Sequence, residues 1–350
     1  MTRKHHEILN LAGAVFLLTC SALPALAQLA PSTPPPNPPG YRPQSKVNGV
    51  QIQEPVFEDK YAVLDALPDK APAKPMRPRK VFVFATALGY AHSNIPLAAF
   101  TIKALGDKTG AWSTTVSYKL EDFTAEHLAQ YDAIVLDNTT GTFLDDSDAA
   151  ATEARHQTLL NFIRGGKGLV LLHAAGDSYH SNGLPPRKPG EPRPDNPQSL
   201  QQKPLWPEYN KIVGGFFKFH WLYPQEVTVK IDDPTSPLTA MFHGKEFTIH
   251  DEIYTFAQDS FSRSNVHVLT SIDYAKMSDA DKAIETAATK RTDGDYALSW
   301  IRPEGKGRLF YEVLGHSEHV YAMTPILQQI LAGTQYALGD LKADDSPSAK

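Results

Sequence analysis

Apolar residues along this chain gather in short unbroken runs, and each run stops at a polar turn. Val81-Phe82-Val83-Phe84-Ala85, Ala133-Ile134-Val135-Leu136 and Gly168-Leu169-Val170-Leu171-Leu172 show no alternation of apolar and polar positions. That pattern predicts strands buried on both faces, as in a parallel sheet covered by helices. Thr114 to Tyr118 predicts a further strand. Helical spacing fills the intervals. Leu97, Phe100 and Ile102 to Leu105 form one apolar face, with Ser93 or Asn94 as cap and Pro96 in the first turn. Asp145 to Arg164 reads as a second helix through Leu159, Phe162 and Ile163, stopped by Gly165-Gly166.

Alternating strands and helices with short connections predict right-handed β-α-β units, hence an α/β fold with a mostly parallel sheet flanked by helices. The second half adds strands at Glu226 to Ile231, Phe247 to Phe256, Val266 to Ile272, Ala297 to Ile301 and Leu309 to Leu314. A helix from Thr324 to Ala337 closes the pattern. The sequence contains no internal repeat and no phosphate-binding glycine motif.

The N-terminus reads differently. Arg3 and Lys4 precede an apolar stretch from Ile8 to Leu18 and the small-residue site Ala25-Leu26-Ala27, the organisation of a secretory signal peptide over residues 1–27. The stretch is short of the ~20 residues that span a bilayer, so the expectation is an exported protein, periplasmic or extracellular, with no stable membrane span after cleavage. Residues 28–80 read as a proline-rich tether and an N-terminal arm, with Val47 to Leu67 packed on the main domain. The α/β domain covers 81–340 and carries a surface insertion at 181–204, equally a lid or a disordered loop without function. A disordered tail is expected at 341–350.

Composition narrows the chemistry. The 350 residues include 34 basic and 39 acidic side chains, a net charge of −5 with nothing to suggest a nucleic-acid partner. Cys20 is the single cysteine and lies within the expected leader. A mature chain without a thiol has no disulfide, no thiolate metal site and no cysteine nucleophile. Nothing in the pattern sets an oligomeric state.

What remains is imidazole, carboxylate and hydroxyl at strand ends, where open α/β sheets collect their ligands. His173 ends a very apolar run and is a candidate general base, electrophile or metal ligand, with Asp177 as its orienting partner or a turn cap. His92 and Ser93 stand at a helix start, where free N–H groups favour an anion or a polarised oxygen; the alternative for His92 is a local cap. Asn138 and Thr139 can hydrogen-bond a polyol or simply make a turn. In His250-Asp251-Glu252-Ile253-Tyr254, period-two alternation sends Asp251 and Glu252 to opposite faces. Glu252, on the face of Tyr254, is the candidate acid, base or ligand, and Asp251 fixes the loop. His316 follows Gly315 after the last strand, and Ser317, Glu318, His319 and Tyr321 open the next connection. Of these, Glu318 and His319 read as solvated. His173, Glu252 and His316 suit a divalent metal such as zinc, and equally a metal-free acid/base pair, so no cofactor is fixed.

Taken in order, several motifs resemble one family. They are Gly-Tyr-Ala-His-Ser-Asn-Ile-Pro (89–96), Asn-Thr-Thr-Gly (138–141), Leu-His-Ala-Ala (172–175), Trp206-Pro207 with Tyr209, and Val213-Gly214-Gly215-Phe216-Phe217 followed by His220. Asp-Glu-Ile-Tyr-Thr-Phe (251–256) and Gly-Arg-Leu-Phe-Tyr (307–311) followed by Gly-His-Ser (315–317) complete the order. The set resembles the ThuA-like, or trehalose-utilisation, family over roughly Val81 to Gly339. The resemblance implies a flavodoxin-like α/β fold of the class I glutamine-amidotransferase type, a link to sugar catabolism, and keto sugars or keto glycosides as substrates. Matching positions are His92, His173, Glu252 and His316, with His220 and Tyr254 secondary. Ala91 stands where many relatives carry arginine, and the 181–204 insertion separates His173 from Trp206.

The resulting expectation is an exported enzyme of carbohydrate catabolism, a hydrolase or lyase. His173, Glu252 and His316 carry acid/base or metal-assisted cleavage of a small-molecule sugar derivative, contacted by His92, Ser93, Asn138, Thr139, His220, Tyr254 and Tyr321. A 3-keto group acidifies the neighbouring C–H enough for an ordinary side-chain base. The alternative is a noncatalytic carbohydrate-binding envelope protein, and the missing cysteine disfavours glutamine amidotransferase chemistry.

Overall fold

The computed structural model describes residues 45–47, 50–181, 203–256, 258–285 and 291–348. The expected leader, the proline-rich start and most of the insertion lie outside the described residues. The N-terminal arm pairs β1 (Lys46–Val47) antiparallel with β2 (Val50–Gln51), then forms α1 (Phe57–Ala66), whose Val63 and Ala66 are buried. Further along, Ala73 donates its N–H to Gln335 Oε1 at 3.0 Å and accepts Gln335 Nε2 at 2.6 Å. A fully buried amide is thereby satisfied on both sides.

The apolar runs become the centre of a nine-stranded sheet. β3 (Lys80–Phe84) leads to α2 (Ile95–Thr109), and β4 (Ser113–Ser117) lies at the edge. After the short α3 (Ala125–Leu128) come β5 (Ala133–Asp137), α4 (Ala149–Arg164) and β6 (Gly168–Leu172). Every residue of β5 and β6 is buried, which explains why neither shows alternation.

The chain then forms α5 (Pro207–Val213), β7 (Phe217–His220), β8 (Gln225–Ile231), β9 (Phe247–Asp251), β10 (Tyr254–Phe256) and β11 (His267–Ile272). α6 (Asp279–Ile284), β12 (Ala297–Glu304), β13 (Gly307–Glu312) and α7 (Thr324–Ala337) complete it. The strand order is β4-β3-β5-β6-β13-β12-β11-β8-β9. From β4 to β13 neighbours run parallel, and from β13 to β9 they run antiparallel. β13 is the seam. It lies beside β6 in a parallel ladder and beside β12 in an antiparallel one, so the last strand is inserted at the middle of the sheet.

Four expectations need correction. The helix expected from Asp145 starts at Ala149, because the Asp148 carboxylate accepts the N–H groups of Ala150 and Ala151 and fixes the N-terminus there. Asn94 occupies the cap position of α2 without a side-chain cap bond; its Nδ2 donates instead to the carbonyl of Gly315. The single strand expected from Phe247 to Phe256 is two. β9 ends at Asp251, and β10 pairs with β7 in a separate two-stranded ribbon. The physical reason is Asp251, whose carboxylate takes three backbone N–H groups of the 315–317 turn and carries the chain off the sheet edge. The tail is tied down through residue 348, with Tyr336 donating to Asp345 at 2.7 Å and Ser348 N–H donating to Val266 O at 3.0 Å.

No helix among the described residues is long and apolar enough to cross a membrane. α7 lies directly on β13, and Gly333 permits the approach: a Cβ there would overlap the Phe310 ring. Helix propensity alone favours alanine by about 1 kcal/mol, but overpacking a rigid core costs about 1–3 kcal/mol. Gly333→Ala is therefore expected to lower the urea midpoint, and a raised midpoint would show that the layers separate freely.

Candidate functional site

The site is assembled from strand ends and the turns after them. β6 runs straight into a 3-10 turn, His173–Gly176, and His173 takes φ +36°. A non-glycine residue held in left-handed space carries local strain, which persists only when its surroundings over-determine it. Here they do. The Tyr311 hydroxyl donates to the His173 carbonyl and accepts Gly176 N–H at 3.1 Å, while His173 Nδ1 donates to Val313 O at 2.7 Å. A carbonyl can only accept, so Nδ1 carries the hydrogen and Nε2 is the open nitrogen. Asp177, an expected orienting partner, is not the group that holds His173.

Nε2 of His173, fully buried, faces Glu252 Oε2 at 3.3 Å. His316 Nδ1 stands 3.0 Å from the same oxygen and His92 Nε2 3.8 Å from it. His220 repeats the device: Nδ1 donates to Trp221 O at 2.6 Å and Nε2 faces Glu252 Oε1 at 3.6 Å. His220 is set opposite Tyr254 by the β7–β10 pairing. The ligand atoms of His92, His173, Glu252 and His316 all lie within 4.8 Å of one another. Two lone pairs, on imidazole Nε2 and carboxylate oxygen, do not face each other at 3.3 Å without a proton or a cation between them.

The electrostatics are uneven around the carboxylate. Burial pulls the Glu252 carboxyl upward, but the charges of His316 and His220 and the hydrogen bonds from His173 and His316 outweigh it and hold Glu252 well below the usual range. Burial dominates at His92 and drives its imidazole down to about 3, against a weaker upward pull from Glu252. Burial also lowers His316, but Glu252, with Asp251 and Glu318 behind it, reverses the sign and raises it. Burial, then the Glu252 charge, keeps the Tyr254 hydroxyl protonated far above its ordinary range.

His316 is delivered by a turn with almost no freedom. Gly315 has φ +125°, where a Cβ would also meet the Tyr321 hydroxyl. Asp251 accepts from the N–H groups of Gly315, His316 and Ser317 and from Ser317 Oγ, the last at 2.8 Å. Adjacent residues 251 and 252 thus divide the work as alternation predicts: one fixes the loop and the other enters the site.

A cavity of about 300 Å³ opens on the cluster, lined by Tyr90, His92, Asp177, Phe217, His220, Tyr223, Glu252, Tyr254 and His316. The remaining candidate contacts are elsewhere. Ser93 donates to Glu318 Oε1 at 2.6 Å, so Glu318 is buried and paired, not solvated. Asn138 and Thr139 are fully buried behind the wall, and Asn138 Nδ2 donates to Asp137 Oδ1 at 2.8 Å. Tyr321 backs Gly315 and does not line the cavity. His250 lies outside, paired with Glu226 at 2.7 Å on the exposed face. Phe217 and Tyr223 gave no chemical signal in the sequence. Phe217 entered the sequence reading only as the end of the Val213–Phe217 motif that precedes His220.

The direction of the His92 shift makes a stability prediction. With the protein chelated, the unfolded chain gains a proton on residue 92 as pH falls below about 6.5, whereas the folded site resists down to about 3. His92's contribution to stability is therefore lost as pH falls through that window; Glu252, with its depressed folded carboxyl, adds loss in the same direction at lower pH, while His316, raised in the fold, contributes in the opposite sense. Thermal melts between pH 6.5 and 5 are expected to fall less steeply for His92→Gln than for the parent chain. Parallel slopes would mean that His92 is not buried neutral.

The family model described as "Trehalose utilisation", ThuA, matches residues 80–184 and 198–337, the interruption falling within the expected insertion. A solved structure described as ThuA-like from Bacteroides uniformis aligns with a TM-score of 0.52 at 18% identity, covering 75% of this chain and 93% of that one. One from Parabacteroides merdae aligns with a TM-score of 0.52 at 17% identity, covering 77% and 93%. At these identities the structures show the shared fold. No curated protein matches the chain. The match over most of its length places the chain in the ThuA family of trehalose utilisation, to which it belongs.

Proposed function

We propose that this chain is an exported enzyme that cleaves a keto sugar or keto glycoside, as a hydrolase or lyase, at the cluster of His92, His173, Glu252 and His316. The observation that carries the reading is the convergence of three imidazole nitrogens on one buried carboxylate oxygen, at 3.0, 3.3 and 3.8 Å, on the wall of a 300 Å³ cavity. The leader-like segment with Arg3, Lys4 and Ala25-Leu26-Ala27 supports export.

The donor set fits a divalent cation such as zinc. Three imidazoles and one carboxylate match its preferred ligands, and an imidazole whose other nitrogen donates to a backbone carbonyl is the usual second support of such a site. His173, with Nδ1 on Val313 O and a buried Nε2 facing Glu252 Oε2 at 3.3 Å, has that arrangement. A bound cation supplies a Lewis acid for a substrate carbonyl or water.

The protein's own groups carry the rest of the reading. Glu252 stays ionised and orders the imidazoles around it. Tyr254 stays protonated and is placed to donate a hydrogen bond to a sugar oxygen. His220 is the least buried imidazole of the group, with its side chain 36% exposed and its Nε2 open, and is placed to accept a proton from substrate. In a 3-keto glycoside that proton leaves the carbon beside the ketone; the electron pair forms the new C=C bond, and the glycosidic C–O bond breaks, its oxygen taking up a proton.

Mature protein incubated with a 3-keto disaccharide is expected to release one intact sugar together with the unsaturated keto sugar left by elimination, or its product of water addition, distinguished by mass spectrometry. His173→Ala and His316→Ala are expected to lower turnover by about a hundredfold or more while remaining folded. Full turnover in both variants would overturn the assignment. Elemental analysis separates the cation from metal-free chemistry: the reading expects about one divalent ion per chain, its loss in His173→Ala, and restoration of chelated wild type by zinc. Undiminished turnover after complete chelation would leave the imidazoles acting without a metal.

A further inference from the structure

We propose that Asp177, held by His180, is the carboxylate that recognises the hydroxyl groups of the sugar in this cavity. The inference rests on the reading above and assigns a specificity-determining pair to the same site. Asp177 follows the strained 3-10 turn that carries His173, and its backbone is tied by its N–H to Ala174 O at 2.8 Å and by its carbonyl to Gly141 N–H at 3.3 Å. The side chain lines the cavity and is 24% exposed. One oxygen, Oδ1, is engaged by His180 Nε2 at 2.5 Å. Among the described residues Oδ2 has no hydrogen-bond partner.

Beyond His220 and Tyr254, assigned above to proton transfer and hydrogen-bond donation, other polar groups on the wall are already committed. Glu252 is shared among imidazoles, His316 Nδ1 is on Glu252, and Tyr223 OH is bonded to Ser317 Oγ at 2.8 Å. A sugar presents several hydroxyl donors, and an ionised carboxylate is the acceptor that binds them most strongly. Asp177 is the cavity carboxylate with an oxygen to spare.

His180 makes that acceptor rigid. Both its nitrogens face acceptor oxygens, Asp177 Oδ1 at 2.5 Å and Ser181 O at 3.2 Å; one ring hydrogen cannot serve both, and the shorter contact assigns it to Nε2, which donates to Asp177. The ring also stacks on Phe216 and lies at 6.0 Å from the Phe217 ring, and Phe217 forms the adjoining cavity wall. Phe217 and Tyr254, with ring centroids 4.4 Å apart, add apolar surface for the C–H face of a pyranose. A surface ion pair between residues three apart has no reason to be walled in this way.

The test is calorimetric binding of a 3-keto disaccharide and its unoxidised parent to wild type and to His173→Ala, Asp177→Asn, His180→Ala and His180→Gln. Asp177→Asn is expected to weaken sugar binding on the order of 10- to 100-fold, the size of a hydrogen bond to a charged group. Its metal content and melting temperature should stay near wild type. His180→Ala should lose about three- to tenfold, and His180→Gln, which keeps a donor, should recover most of that. In turnover, Asp177→Asn should raise KM far more than it lowers kcat. Wild-type binding that is unchanged in Asp177→Asn overturns the inference and leaves the proposed enzyme standing. If neither sugar binds wild type, the proposed function fails and takes this inference with it. A drop in melting temperature that accounts for the lost binding would make the pair a structural pin and also overturn it.

Discussion

A carboxylate that is almost wholly buried has to be compensated, and Glu252 is the point to which this fold answers. Moving an isolated carboxylate from water to a low-dielectric interior costs on the order of 20 kcal/mol in the idealised limit, far beyond the net stability of a domain. Glu252 is 8% exposed and still held well below the ordinary carboxylate range, so its surroundings supply the compensation. That compensation comes from imidazoles on four separate segments: the turn after β3, the end of β6, the end of β7 and the turn after β13. None of these segments is adjacent in sequence to another. The site therefore exists only when the sheet order is complete, with β13 inserted beside β6.

The loops that deliver the imidazoles have to be as rigid as the strands, because a shift of an ångström would break the geometry around one oxygen. Two polar residues accomplish this without touching the cavity. Asp251 gathers the backbone of the 315–317 turn, and Asn94 ties the start of α2 to the carbonyl of Gly315. The turns bearing His92 and His316 are thereby joined to each other as well as to the sheet. Their ring centroids lie 4.9 Å apart. Both locking residues are wholly buried; Asp251 engages both carboxylate oxygens, whereas Asn94 commits its Nδ2 and leaves Oδ1 without a partner among the described residues.

The strand cores and the residues that end them were legible because a parallel strand buried on both faces has a plain signature. β5, β6 and α7 lie where the apolar runs and helical spacing place them. The division between Asp251 and Glu252 was legible too, because alternation depends on nothing distant. What was not legible depends on tertiary contact. Asn94 has the composition of a cap, but Gly315 O, more than two hundred residues away, competes for its amide. Asn138 and Thr139 have the composition of a sugar contact, but the turn at Asn138, φ +50°, folds them behind the wall. Asp177 reads as a partner for His173 by proximity in sequence; Val313 O takes that place because β13 pairs with β6 in register.

The same carboxylate pulls both His92 and His316 upward, yet the two shift in opposite directions, and the cause is what else surrounds each ring. His316 has Glu252 before it and the charges of Asp251 and Glu318 behind, so the proton is favoured there despite burial. His92 has Glu252 at 3.8 Å, too far for a good hydrogen bond, and feels the charges of His316 and His173, so burial wins and the ring is neutral. Groups whose environments push their proton affinities apart divide acid and base roles without any change of residue type. In the absence of a cation, His316 is the proton-bearing side of this cluster and His92 the side that offers a lone pair. Zinc or a similar ion displaces a proton from imidazole to bind it, so it competes directly with the His316 proton. At the proposed cation site loading would be favoured as pH rises, a coupling that follows from placing Asp251 and Glu318 behind the His316 imidazole.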